Sequence, residues 1–291
     1  MSSSTAGLQL AADAAIDLHL HTTLSDGSWT LEDLLDHLRQ EGFGLGAVTD
    51  HDRADTAAVI QEQAQTRTLP LLTGVEMTSA ARGEMVDLLC YGFSPGENPL
   101  TTLARDLLDR QKENTREVYE NLSRQGFTFP GGSLEHLLDQ PGLVQALGQL
   151  DLLLEQNSIN SRAEAEELLT KAGYRYEANP PEAVVEAAHR SGAVCLLAHP
   201  GRGNGYLEFD SSLLDEFRQQ APIDGLEAHY PLHSPSQRDM YLEYAGRHDL
   251  LVSAGSDSHR PGKPPIQYQA GLCQKLLAAL GIQLTVPDKN A

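Results

Sequence analysis

The chain is expected to fold as an α/β protein whose strands form a largely parallel sheet or barrel, interrupted once by a helical insertion. Three observations lead there. Seven short apolar runs alternate with amphipathic helical stretches, the pattern of strands joined by crossover helices. The alternation breaks at Asn98 and resumes at Asn179, with helical periodicity between. Polar, metal-competent side chains recur at or just past the ends of the apolar runs. Parallel barrels build their sites there, because every strand end points at one mouth.

Taken in order, residues 1–13 read as a loose polar leader, and residues 14–97 with 179–284 as the barrel. The first strand, residues 14–20, runs into His19-Leu20-His21 and a short turn holding Asp26. A helix follows: Thr30 can cap it, Glu32 and Asp33 suit its positive end, Leu31, Leu34, Leu35 and Leu38 form its apolar face, and Gly42 ends it. The second strand, 45–49, delivers Asp50-His51-Asp52, and residues 54–65 make a second helix. The third strand, 69–75, delivers Glu76, and the fourth, 85–91, contains Asp87.

Residues 98–178 read as the helical insertion, broken at Gly131-Gly132 and Pro141-Gly142. A helix then starts at Asn179-Pro180-Pro181. The fifth strand, 193–198, ends in His199-Pro200, and a glycine-rich loop over 201–205 carries Arg202. Residues 211–220 are helical. The sixth strand, 223–229, precedes Pro231-Leu232-His233, and Ser234-Pro235-Ser236-Gln237 has the form of a capping box. The seventh strand, 250–254, ends in Gly255-Ser256-Asp257-Ser258-His259, and residues 272–280 close the chain with a helix.

Composition excludes several classes. The 291 residues are 40% hydrophobic, enough for a buried core, and carry 21 basic against 41 acidic side chains, a net charge of −20. That excess repels duplex nucleic acid and an anionic membrane surface, yet leaves phosphate-bearing substrates open because bound cations invert the local field. No apolar run approaches the roughly 20 residues of a membrane span. The start of the chain has no signal-peptide form, and Cys90, Cys195 and Cys273 read as buried reduced thiols, so a cytoplasmic protein is expected.

The donors that converge by this reading are His19, His21, His51, Glu76, His199, His233, Asp257 and His259, with Asp26 and Asp87 within reach. In an extended strand His19 and His21 point the same way. By contrast His37, His136, His189 and His248 fall on helices and read as solvated. Imidazoles mixed with carboxylates, without thiolates, favour Mn²⁺, Fe²⁺ or Zn²⁺. Such ions generate hydroxide near neutral pH and clamp phosphoryl oxygens, so the chemistry points to phosphoester hydrolysis. Asp87 lies on an apolar strand where an unpaired carboxylate is costly, which favours coordination. Asp17 reads as a turn former or a support for the donors. Asp50 and Asp52 read as partners of the His51 ring or as solvated loop charges. His229 and Tyr230 could stack on a base or simply pack, and Trp29 reads as packing.

The segments Asp17-Leu18-His19-Leu20-His21, Ser25-Asp26-Gly27, Thr49-Asp50-His51, Gly74-Val75-Glu76, Ala198-His199-Pro200-Gly201-Arg202 and Gly255-Ser256-Asp257-Ser258-His259 together resemble the PHP (polymerase and histidinol phosphatase) superfamily. Pro231-Leu232-His233-Ser234 and the helical insertion make the chain most similar to its nucleoside-3′,5′-bisphosphate phosphatase and 5′-exoribonuclease branch. The resemblance implies a distorted seven-stranded β/α, TIM-like barrel with two or three divalent ions, Mn first, with Fe and Zn as alternatives. His19, His21, Glu76 and Asp257 would hold one ion and the catalytic water. Glu76 would bridge to a second shared with His199 and Asp87, and Asp26, His51 and His259 would hold a third. Arg202, His233 and Ser234 would contact phosphate.

The implied substrate is a small 3′,5′-nucleoside bisphosphate or a short RNA 5′ end, with no duplex nucleic acid and no membrane as partner; no oligomeric state is assigned. A cyclic ribose phosphate or histidinol phosphate is the alternative substrate, and a metal-binding module without turnover the alternative to an enzyme. Two departures stand out. Asp87 occupies a position where these phosphatases usually have histidine, which hardens the site toward Mn²⁺ or Fe²⁺ over Zn²⁺. The insertion lacks the Arg-Pro-His segment of bisphosphate-specific relatives.

Overall fold

A computed structural model describes residues 5, 7–155, 159 and 161–285. The chain divides into two compact units, Met1–Leu103 with Asn179–Ala291, and Ala104–Ala178. Part of the expected leader, residues 1–4 and 6, lies outside the described residues.

The first unit is the barrel. Its elements are β1 (Gln9–Ala11), β2 (Ala15–Leu20), α1 (Leu31–Gln40), β3 (Leu45–Val48), α2 (Ala57–Thr66), β4 (Leu71–Ala81) and β5 (Glu84–Tyr91). After α3 (Pro99–Arg124), α4 (Ser133–Asp139), α5 (Gly142–Glu155) and α6 (Arg162–Lys171), it continues with α7 (Pro181–Arg190), β6 (Val194–Leu197), α8 (Ser211–Gln220), β7 (Gly225–His229), α9 (Pro235–Arg247), β8 (Leu251–Ala254), β9 (Tyr268–Gln269), α10 (Gln274–Ala279) and β10 (Gln283–Thr285).

One eight-stranded sheet has the order β8-β7-β6-β5-β4-β3-β2-β9. Its two ends nearly meet: Leu20 bridges Ser258, and the His21 and Asp257 amides donate to Ser258 O and His19 O. The sheet therefore curls into a nearly closed barrel. It contains all seven expected strands, and β9 adds an eighth by pairing antiparallel with the outer edge of β2.

Direction is where expectation and structure part. β5 runs antiparallel to both β4 and β6. The cause is a tight hairpin: β4 continues past Glu76 to Ala81 and turns through Arg82 and Gly83, both at positive φ (55° and 81°), as a two-residue hairpin loop requires. Because β5 is reversed, its beginning, not its end, lies level with the last residues of its neighbours. Asp87 pairs with Thr78, and its carbonyl accepts the Ala198 amide. A mid-strand residue is thus carried to the mouth.

The expected leader also carries β1, which pairs parallel with β10 in a small separate sheet. Helix α1 forms as its sequence dictates: Thr30 Oγ1 accepts the Asp33 amide at 3.0 Å, and its four leucines are buried. They pack with Leu20, Val48, Ile60 and Leu71. A second cluster joins β2, β3, β5, β6 and β8 to Leu276 and Leu277 of α10. Cys90 and Cys195 face each other across β5 and β6 as buried free thiols, their sulfurs 3.8 Å apart.

In the second unit, Val118, Leu122, Leu150, Leu153 and Leu169 form a core of their own. Ser161 caps α6 by accepting the Glu164 amide. Among the described residues no helix is long and apolar enough to cross a membrane.

Candidate metal centre

His19 near the end of β2 and His21, the residue just past it, turn their imidazoles toward one carboxylate. His19 Nε2 lies 3.0 Å from His21 Nε2 and 2.9 Å from Glu76 Oε2. His21 Nε2 lies 3.1 Å from the same oxygen and 3.3 Å from Asp257 Oδ1. Glu76, fully buried on β4, is the node: His51 Nε2 reaches its Oε2 at 3.2 Å and His199 Nε2 its Oε1 at 3.1 Å.

Eight of the nine expected donors fall into three overlapping groups whose donor atoms lie within 4.8 Å of one another: His19, His21, Glu76 and Asp257; His21, Asp26, His51 and His259; and His51, Glu76 and Asp87. The first and second reproduce the expected sets, with His21 added to the latter. In the third, His51 stands with Glu76 and Asp87, and the ninth donor, His199, meets the cluster through Glu76.

Side chains around the cluster fix it. Asp17 accepts the His19, Ser256 and Ile266 amides, tying β2 to the segment that carries Asp257. Asp50 holds the turn before Asp26 by accepting from the Thr22 amide, Thr22 Oγ1 and Ser25 Oγ. Asp52 accepts the Thr78 amide. Trp29 Nε1 donates to Ser258 Oγ at 3.1 Å, next to His259. His199 and Asp257 sit at φ 25° and 54°, a left-handed strain tolerated where surrounding structure enforces it.

Glu227 is a residue the sequence reading missed. It is fully buried on β7, with Oε1 3.0 Å from His19 Nδ1 and Oε2 accepting the His199 amide at 2.9 Å. Its signal was a carboxylate inside the apolar run 223–229, the same costly burial that marked Asp87.

The expected phosphate contacts divide. Arg202 lies over the cluster: Nη1 is 3.1 Å from Asp257 Oδ2 and 3.3 Å from His199 Nε2, and its guanidinium stacks on Tyr206 at 4.4 Å. Tyr230 OH donates to Asp257 Oδ2 at 3.2 Å. His233 has both ring nitrogens engaged with backbone, Nδ1 with Ala228 O and Nε2 accepting the Gly201 amide. Ser234 Oγ accepts the Gln237 amide as the cap of α9. His189, read as a solvated helix residue, pairs with Asp224 near the surface.

The donor set fits divalent cations. Lone pairs and negative oxygens converge at contact distance, an arrangement that without cations requires protons. Burial works against the His21 proton, yet hydrogen bonds to Asp257 and Glu76 push the ring up to about 10. Burial would raise Asp26 and Asp257, but neighbouring imidazoles overturn it and hold both well below the usual range. Burial and then the charge of Glu76 push Asp87 well above it, so a proton or a cation must share that space.

These shifts set a pH signature for protein stripped of metal by a chelator. The folded state keeps the His21 proton where the unfolded chain, titrating near 6.5, has lost it. That stabilisation is complete below about pH 6.5 and drains away as the pH rises. The lowered Asp26 and Asp257 stabilise the fold above about pH 4 and cease to as the pH falls. The urea midpoint of stripped protein is therefore expected to drop from pH 6.5 to 8.5. With saturating Mn²⁺ it should rise instead, because ion binding releases those protons. A flat midpoint in chelator would contradict the charged cluster.

Barrel and donor set together define a class: a metal-dependent phosphoesterase, a hydrolase of phosphoric esters. The chain belongs to the PHP domain family, which matches residues 17–176, more than half its length. It is 28% identical over 254 residues to the 3′,5′-nucleoside bisphosphate phosphatase of Chromobacterium violaceum, covering 86% of this chain and 89% of that one. It is 28% identical over 255 residues to the 5′-3′ exoribonuclease Rnm of Escherichia coli, covering 84% and 85%. Identity to the phosphoribosyl 1,2-cyclic phosphate 1,2-diphosphodiesterase of Eggerthella lenta is 25% over 253 residues, covering 84% and 93%. A solved chain from Bifidobacterium adolescentis, provisionally described as a metal-dependent phosphoesterase, superposes with a TM-score of 0.71 at 25% identity, covering 91% and 96%.

Proposed function

We propose that this protein hydrolyses a phosphate ester of a small nucleotide, a 3′,5′-nucleoside bisphosphate or a short RNA 5′ end, at a cluster of two or three divalent ions. The observation that carries the reading is the clustering of nine imidazole and carboxylate donors, Glu76 being their node, from segments as distant in sequence as β2 and the loop after β8. His19, His21, Glu76 and Asp257 would hold one ion, and Asp26, His51 and His259, with His21 at hand, another. Glu76 and Asp87 would share a third position with His51 or His199 beside it. The two buried carboxylates there favour Mn²⁺ or Fe²⁺.

Divalent ions held there supply Lewis acidity to a phosphoryl oxygen and acidify water near neutral pH. The protein's own part is placement. Arg202 presents a planar fork to the phosphate oxygens, oriented by Tyr206 and Asp257. His233 acts at one remove, bracing the loop that carries Arg202 by accepting the Gly201 amide. Tyr230 steadies Asp257.

A cyclic ribose phosphate is the second reading, favoured by the similarity to the Eggerthella lenta phosphodiesterase. Both are tested by one panel: metal content of protein purified without added metal, then turnover on 3′-phosphoadenosine 5′-phosphate, a 5′-phosphorylated short RNA, a ribose 1,2-cyclic phosphate and histidinol phosphate. Chelation should abolish turnover and Mn²⁺ restore it, with a nucleotide ester the best substrate. Folded, metal-loaded protein inert on all four would overturn the proposal.

A further inference from the structure

We propose that Glu227 is the positioning residue of the metal centre: one buried carboxylate that sets the tautomer of His19 and the backbone of His199 together. The inference rests on the metal-centre reading above and adds to it a residue outside the donor groups. The geometry gives the two oxygens different tasks. Oε1 lies 3.0 Å from His19 Nδ1, placed to accept an N–H from that nitrogen. A neutral His19 then has its lone pair on Nε2, the atom that meets His21 and Glu76. Oε2 accepts the His199 amide at 2.9 Å, pinning the residue whose φ is 25°.

Glu227 thereby ties β7 to His19 near the end of β2 and to His199, two residues past β6. Space for the arrangement is kept by Gly255, where a Cβ would collide with the His19 Cβ and Glu227 Oε1. No solvent reaches the carboxylate, so neither task can pass to water. A ligating imidazole commonly donates its other N–H to a carboxylate, which orients the ring and makes its free nitrogen a better donor.

Glu227→Gln separates this role from packing, because the amide has nearly the same shape but one acceptor. Its NH₂ must face either the His199 amide or His19 Nδ1, and in the second case His19 is driven to the opposite tautomer. Ion affinities are measured by titration against a chromophoric chelator, with the fold checked by circular dichroism. The expected result is one ion bound about 10–100-fold more weakly, while the ion at Asp26, His51 and His259 keeps its affinity. Affinities within twofold of wild type at every ion, or equal losses at all of them, would overturn the positioning role.

Should the variant not fold, ¹⁵N-histidine NMR of the wild-type protein loaded with Zn²⁺ decides instead. His19 protonated at Nδ1 supports the proposal, and His19 protonated at Nε2 overturns it. Wild-type protein that takes up no divalent ion refutes the metal-centre reading, and this inference with it. Weakened binding by the variant that spares the ion at Asp26, His51 and His259, beside tight binding by wild type, upholds both.

Discussion

Replacing His19 and Asp257 together, as His19→Gln with Asp257→Asn, is expected to abolish phosphate release while the protein stays folded. Both side chains border the same group, His19 Nε2 lying 3.5 Å from Asp257 Oδ1. Their loss takes two of its four donors and leaves His21 and Glu76. A centre of this kind supplies both the nucleophile and the charge stabilisation, so a fall of at least about 10⁴-fold in kcat/KM is expected, or roughly 5.5 kcal/mol at 1.36 kcal/mol per decade. Amide replacements keep polar groups in the buried site, so Glu227 retains a partner to bond. The checks are phosphate release, metal content and far-ultraviolet circular dichroism side by side. Unchanged turnover would refute the assignment.

Arg202→Ala should cost about 10²–10³-fold in kcat/KM, the usual loss when one preorganised donor to a developing negative charge is removed. Metal affinity is the discriminating control. The Arg202 guanidinium neutralises Asp257 at 3.1 Å, so its removal leaves that carboxylate more attractive to cations, and ion binding should hold or tighten as turnover collapses. Arg202→Lys should recover only part of the rate, since the charge returns without the planar fork. If both variants turn over within threefold of wild type, Arg202 plays no part with phosphate.

How much of this was legible in the sequence depended on whether a signal was local. Helix α1 carries its own start, face and charge pattern, and the structure begins it one residue after Thr30, as the cap requires. The capping box at Ser234 and Gln237 was equally self-contained. The donors were visible because each follows an apolar run. Strand direction was not. The run containing Asp87 announces a strand, but its reversal depends on the Arg82-Gly83 turn, which lacks the usual asparagine or aspartate of such hairpins. The short β1–β10 pair was invisible because three-residue strands have no measurable period. His233 looked available by position, yet both its nitrogens are taken by backbone from distant loops. Glu227 escaped notice because its partners lie on other strands.

The antiparallel β5 has a further consequence, for how the chain is made. Its one side pairs with β4, formed just before it, but the other waits for β6, and Cys90 meets Cys195 only after 105 further residues have been added. At about 5–20 residues per second this is a delay of roughly 5–20 s. Through that interval Leu88, Leu89, Cys90 and Tyr91 form an apolar edge with unsatisfied amides, the kind of surface that recruits neighbouring chains. The wait for β6 to seal that edge should thus be a hazardous interval in biogenesis.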